Sequence, residues 1–126
     1  MRRFILNLGT IVLLAAAFLQ AGFNSAQQRN NTPLSYTGEI MDGTCAGQGS
    51  HNQKMSKEGT KTAKDCTLLC VKDGSKLVLY NSDAKTSFNL EDQDKVREYT
   101  GEKVAIVGTY DGPTKTIHIQ SITAAP

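Results

Sequence analysis

Three cysteines and one histidine hold most of the reactive donor chemistry of this chain, and they crowd into one stretch. It reads Asp42-Gly43-Thr44-Cys45, then His51, then Cys66-Thr67-Leu68-Leu69-Cys70-Val71-Lys72-Asp73-Gly74. All three cysteines of the protein lie between residues 45 and 70. On a helix, Cys66 and Cys70 are four apart and share a face. A disulfide from Cys45 to either one would close a loop of roughly 20–25 residues, which in the chain-entropy model contributes about 3 kcal/mol. A bridge between Cys66 and Cys70 is disfavoured, because a regular helix does not give disulfide dihedrals. Three is odd, so one thiol remains to be buried, to react, or to form an intermolecular disulfide with a second chain.

A second chemistry uses the same residues. Cys45, His51, Cys66 and Cys70 total four soft or borderline donors, the number that a tetrahedral zinc site takes, and thiolates also suit Cu(I). The Cys-x3-Cys spacing is looser than a zinc knuckle, and His51 sits among Gly and Ser, where a lone histidine reads as a surface loop residue. A third chemistry, thiol redox exchange, needs a lowered thiol pKa. Lys64 and Lys72 are offset by Asp65 and Asp73, and the spacing is not Cys-x-x-Cys, so this reading ranks last. His118, between Ile117 and Ile119, reads as a solvent-facing strand residue.

Nothing else assembles a reaction. Glu39 and Asp42 are two acids on one strand without a cleft. Gly43, Gly47 and Gly49 do not lead from a strand into a helix at a phosphate-loop spacing. Lys54, Lys57, Lys61 and Lys64 recur every three to four residues, a solvated face interrupted by Glu58.

The compartment bears on which chemistry is expected. Met1-Arg2-Arg3, an apolar stretch densest over residues 11–19, and Asn24-Ser25-Ala26 follow the order of a cleavable signal peptide, with cleavage after Ala26. No cysteine lies nearby to take a lipid anchor. A retained transmembrane anchor is the alternative, but the apolar core is short against the roughly 20 residues a spanning helix needs. The expectation is a periplasmic or secreted protein that meets the membrane only through its signal peptide. There, a disulfide outranks a metal site. The chain has 14 Lys and Arg against 12 Asp and Glu, and the signal takes Arg2 and Arg3. The remainder is neutral, without the basic excess of a nucleic-acid binder.

Elements must then position the cluster. Residues 27–33 are polar, end at Pro33 and read as a flexible lead-in. Residues 34–123 read as one domain. Five stretches have strand character, namely 34–42 (with Gly38 a bulge position), 76–80, 86–90, 103–110 and 116–122. Asn81-Ser82-Asp83 and Asp111-Gly112-Pro113 supply turns. Thr62 with Asp65 three residues later forms a capping pair for a helix through Cys66 and Cys70 that stops at Gly74. A second helix runs from about Asp92 to Tyr99 and stops at Gly101. The order predicts a mainly β protein, a five-stranded OB-like Greek-key barrel. One helix lies between strands 3 and 4, and a helix-containing insertion between strands 1 and 2. An open sheet with helices on one face is the competing architecture.

Gly38-Glu39-Ile40-Met41-Asp42 followed by Cys45, then Cys66-x3-Cys70-Val71 with Gly74, and Gly101-x2-Val104-x-Ile106-x-Gly108 carry a resemblance over most of residues 34–123. The chain resembles small exported bacterial OB-fold-like domains with a D-x-x-C … C-x-x-x-C-V-x-x-G pattern. The resemblance implies export and an OB-like barrel, and no established reaction. The expectation is therefore an exported, non-enzymatic binding module for an unidentified ligand or protein, stapled by a disulfide and needing no cofactor. The alternative is a zinc or copper protein using Cys45, His51, Cys66 and Cys70.

Overall fold

Strand alternation decides which side chains fill the interior and which strands must be covered from outside. The computed structural model describes residues 29–126, so the expected signal peptide and its cleavage site lie outside the described residues. Five strands form a closed barrel: β1 (Arg29–Asp42), β2 (Leu77–Asn81), β3 (Thr86–Leu90), β4 (Lys103–Asp111) and β5 (Thr116–Ala124). Around the barrel the order is β1-β2-β3-β5-β4. All pairs are antiparallel except β3 with β5. Closure removes the exposed edges that an open sheet would present, and the open-sheet alternative is excluded.

The interior is aliphatic. Ile40, Leu77, Leu79, Leu90, Val104, Ile106 and Ile117 are buried together, and Val96 joins them from the short helix α4 (Gln93–Arg97). Each such side chain contributes about 1.5–3 kcal/mol when fully buried. Tyr36, Phe88 and Tyr110 pack against this core as mutually tilted rings, with centroids 5.6–6.4 Å apart. Gln93 ties α4 to the barrel. Its Oε1 accepts from Leu77 N–H at 2.7 Å, and its Nε2 donates to the carbonyls of Leu77 and Leu90 at 2.9 and 3.0 Å.

β4 alternates buried and exposed residues, as a barrel strand with one wet face should. β2 does not. Leu77, Val78, Leu79 and Tyr80 are all buried, because the outer face of β1 and β2 is covered too. Its cover is the connection between these strands, which holds three short helices: α1 (Gly43–Gln48), α2 (Asn52–Glu58) and α3 (Ala63–Lys72). Beneath it lies a second cluster made of Met41, Cys45, Ala46, Cys66, Val78 and Tyr80, with Met55 packed against it. The unbroken apolar run Leu77-Val78-Leu79-Tyr80 thus records a strand sandwiched between two cores.

Two local expectations are corrected. The lead-in is not detached, because β1 begins at Arg29 and pairs Arg29 with Asp111 and Asn30 with Tyr110. The register shift falls between Asn30 and Leu34, around Pro33, which cannot donate to a ladder. Gly38 is not a bulge. It pairs in register with Val104, and it is glycine because a Cβ there would sit 2.5 Å from the Tyr80 carbonyl oxygen.

Candidate metal centre

The Asp42-Gly43-Thr44-Cys45 run turns a strand into a helix. Asp42 ends β1 and caps α1, its Oδ1 accepting from the N–H groups of Thr44 at 3.0 Å and Cys45 at 2.9 Å. That capping places Cys45 one turn beyond Asp42, and both residues are fully buried. Asp42 Oδ2 has no hydrogen-bond partner. A buried, unpartnered carboxylate oxygen is costly and needs a reason.

α1 stops at Gly49, whose φ of 75° is the left-handed conformation that glycine adopts without penalty. The turn sends the chain back over Cys45, with Ser50 N–H donating to the Cys45 carbonyl at 3.2 Å. His51 follows at the N-cap position of α2, and its side chain makes no capping bond. The imidazole is instead turned inward. It is 8 % exposed, and its Nε2 lies 2.8 Å from Glu39 Oε1 on the outer face of β1. The other nitrogen, Nδ1, is buried without a partner.

The third contribution comes from α3. Thr62 caps it, with Oγ1 accepting from Asp65 N–H at 3.1 Å and its hydroxyl donating to Asp65 Oδ2 at 2.7 Å. Cys66 and Cys70 lie on its buried face, as the spacing of four requires.

These elements converge. The donor atoms of Cys45, His51 and Cys66 all lie within 4.8 Å of one another, and so do those of Asp42, Cys45 and Cys70. The four residues of the tetrahedral expectation therefore do not form one set. They divide into two triads that share Cys45, and Asp42 completes the second. The expected disulfide is not formed: all three cysteines are free, and the Cys45 and Cys66 sulfurs stand 3.8 Å apart, beyond bonding distance. Cys45 and Cys66 nevertheless stand within hydrogen-bonding reach of each other.

Electrostatics at Cys45 and Cys70 disfavour the thiolate. Burial pushes the Cys45 thiol well above the usual range, and the adjacent Asp42 carboxylate and Cys66 sulfur push it further. Cys70 is pushed up to about 11, again by burial first and then by Asp42, with Lys54 pulling the other way. Neutral thiols hold their protons against solvent, unlike the thiolate of a redox enzyme.

Sequence reasoning placed His51 on a surface loop when taken alone, and it left Asp42 and Glu39 out of the cluster. The spacing of Asp42 to Cys45 is that of an N-cap to its third helical residue, a signal that was present. Glu39 had none, since its partner is distant in sequence and faces it only once α1 has folded. His118 is exposed and pairs with Glu91 at 2.5 Å, away from the cluster. The lysine run is a solvated face, with Lys54 pairing to Glu58 at 3.1 Å.

A cavity of about 740 Å³ opens beside the cluster, lined among others by Glu39, Met41, His51, Met55, Tyr80 and Lys103. It gives the His51–Glu39 pair access to solvent. Among the described residues no helix is long and apolar enough to cross a membrane. Searches of protein-family models, curated proteins and solved structures find no match to this chain, so its function rests on the geometry of these residues.

Proposed function

We propose that the protein is an exported metal-binding module, an OB-type barrel whose first connection is elaborated to hold a borderline metal ion such as Zn²⁺. The observation that carries this reading is the buried His51 imidazole. The residue lies in a triad with Cys45 and Cys66, its Nδ1 is buried and unpartnered, and its Nε2 is held by Glu39 at 2.8 Å. A metal-ligating histidine characteristically gives its second nitrogen to a carboxylate, which fixes the tautomer and aims the free lone pair. The sulfur spacing agrees. Two thiolates about 2.3 Å from a tetrahedral zinc are about 3.8 Å apart, which is the Cys45–Cys66 distance of 3.8 Å. Metal binding would also overcome the resistance of the Cys45 thiol to deprotonation, because a coordinated thiol gives up its proton.

The cavity supplies the route by which an ion, and a ligand completing its coordination, reaches His51. Export follows from the N-terminal sequence pattern, and the neutral charge of the remaining chain argues for a partner other than nucleic acid.

One observation favours a second reading. The Cys45–Cys66 sulfurs need little movement to form a disulfide, which would leave Cys70 as a single free thiol. Intact mass and thiol counting on the periplasmically produced protein, before and after chelator, separate the two. Three reduced thiols with bound zinc support the metal reading. One free thiol, a disulfide and no ion would replace it with the stapled module.

A further inference from the structure

We propose that the centre is dinuclear, with the Cys45 thiolate bridging two divalent ions. One ion is held by His51 and Cys66, the other by Asp42 and Cys70. The inference rests on the metal-binding reading above and deepens it.

Three observations carry it. First, the donors do not fall into a single group of four. They make two groups of three with Cys45 common to both, the atoms within each group lying within 4.8 Å. A mononuclear tetrahedral site would bring four donor atoms together at tetrahedral-edge distances of about 3.8 Å or less. The arrangement instead gives one sulfur to both ligand pairs, as a bridging thiolate requires.

Second, each triad has its own unsatisfied donor. His51 belongs to the first and Asp42 to the second, and each carries one buried polar atom without a hydrogen-bond partner, Nδ1 and Oδ2 respectively. Their companion atoms are occupied. Nε2 is bound to Glu39, and Oδ1 accepts two backbone N–H groups of α1. In both residues the partnered atom fixes the side chain and leaves the other atom free to take a ligand. One ion would satisfy only one of them, whereas two satisfy both.

Third, the charges close. Three thiolates and the Asp42 carboxylate carry four formal negative charges, on residues no more than 3 % exposed. Two divalent cations neutralise them, while His51 binds as neutral imidazole. A single divalent ion leaves either excess buried charge or protonated thiols outside its shell, and uncompensated buried charge is strongly disfavoured. The same count disfavours two Cu(I) ions, which would neutralise only half the charge and would require a carboxylate as a ligand for a soft ion. Zn²⁺ fits both the charge and the mixed sulfur, nitrogen and oxygen donors.

The test is metal stoichiometry on the mature protein, by native mass spectrometry after zinc loading and removal of loosely held ions by dialysis. Two zinc ions per chain are expected. Cys70→Ser and Asp42→Asn should each lower this to one, and His51→Ala should do so by emptying the other half. Cys45→Ser should lose both. Asp42→Asn keeps an oxygen able to cap α1, so circular dichroism of that variant guards against a folding artefact. Cobalt(II) substitution gives an independent readout. A thiolate bridge couples the two ions, so the paramagnetic signal should rise with the first equivalent and fall with the second, whereas in Cys70→Ser it should persist. One ion per wild-type chain, unchanged in Cys70→Ser, would overturn the dinuclear centre and leave the metal-binding function standing. No ion in any variant would overturn both.

Discussion

Replacing Glu39 tests the site without touching a ligand. The Glu39 side chain is 27 % exposed and meets the 8 % exposed His51 through one contact of 2.8 Å. Glu39→Ala leaves the imidazole Nε2–H without its acceptor and frees the ring to rotate. Loss of such an orienting carboxylate typically costs 10–100-fold in metal affinity. At a fixed excess of free zinc this removes about 1.4–2.7 kcal/mol of the stabilisation that the ion confers on the folded state. In a domain of this size 1 kcal/mol moves the melting temperature by about 4–8 °C, so the zinc-dependent rise in Tm should shrink by roughly 6–20 °C. The assay is a pair of thermal melts, with zinc and with chelator, for wild type and variant. The apo melts should differ little, because one partly exposed pair contributes modestly. An unchanged zinc-dependent rise would refute the assignment of His51 as a ligand. An equal drop in both melts would make Glu39 a fold residue only.

Other consequences follow from the same structure. Gly38→Ala places a Cβ 2.5 Å from the Tyr80 carbonyl oxygen, so urea unfolding should show a loss of about 1–3 kcal/mol from overpacking, with no change in metal stoichiometry. Leu79→Ala, at a fully buried position of the barrel interior, should cost about 2–5 kcal/mol in the same measurement. Gln93→Leu strands the Leu77 N–H that Gln93 now accepts; it should cost about 1–3 kcal/mol, read as a lower urea midpoint and faster amide exchange at Leu77. The Tyr36 phenol is raised above its ordinary value of 10.0, by burial first and by Tyr110 second. Its contribution to stability is therefore complete below about pH 10 and is lost as pH rises through the higher folded value. Ultraviolet titration of Tyr36→Phe against wild type should remove the latest-ionising phenol, and a late phenol that persists would place the shift elsewhere.

The strands were legible because their cause is local. Thr86-Ser87-Phe88-Asn89-Leu90 alternates, and the strand occupies those residues. Thr62 and Asp65 announced a cap that the structure contains. The first strand was read short because Asn30, Asn31 and Pro33 lack strand character, and only the pairing of Asn30 and Leu34 with β4 on either side carries the strand through them. The site was half legible. Cysteine spacing identified three donors, yet their division into triads depends on how α1 turns at Gly49 and lays His51 against Glu39. That arrangement is tertiary, and no periodicity encodes it. The run Leu77-Val78-Leu79-Tyr80 did carry a further message, since only a strand covered on both faces stays apolar throughout. It meant that the insertion is packed down on the barrel.

The position of the insertion within the chain also sets an order of events. Glu39 and every donor from Asp42 to Cys70 precede β2, so the complete ligand set exists before β4 and β5, which close the barrel, have been made. The contacts of the centre span short stretches of chain, whereas closure must join Arg29 to Asp111. Short loops close first and long ones later. A chain emerging with its N-terminus leading therefore has its donors together while the last strands are still to come. An ion captured at that stage would fasten the outer layer onto β1 and leave that strand, the one that pairs with both β2 and β4, waiting as the template on which the rest of the barrel assembles.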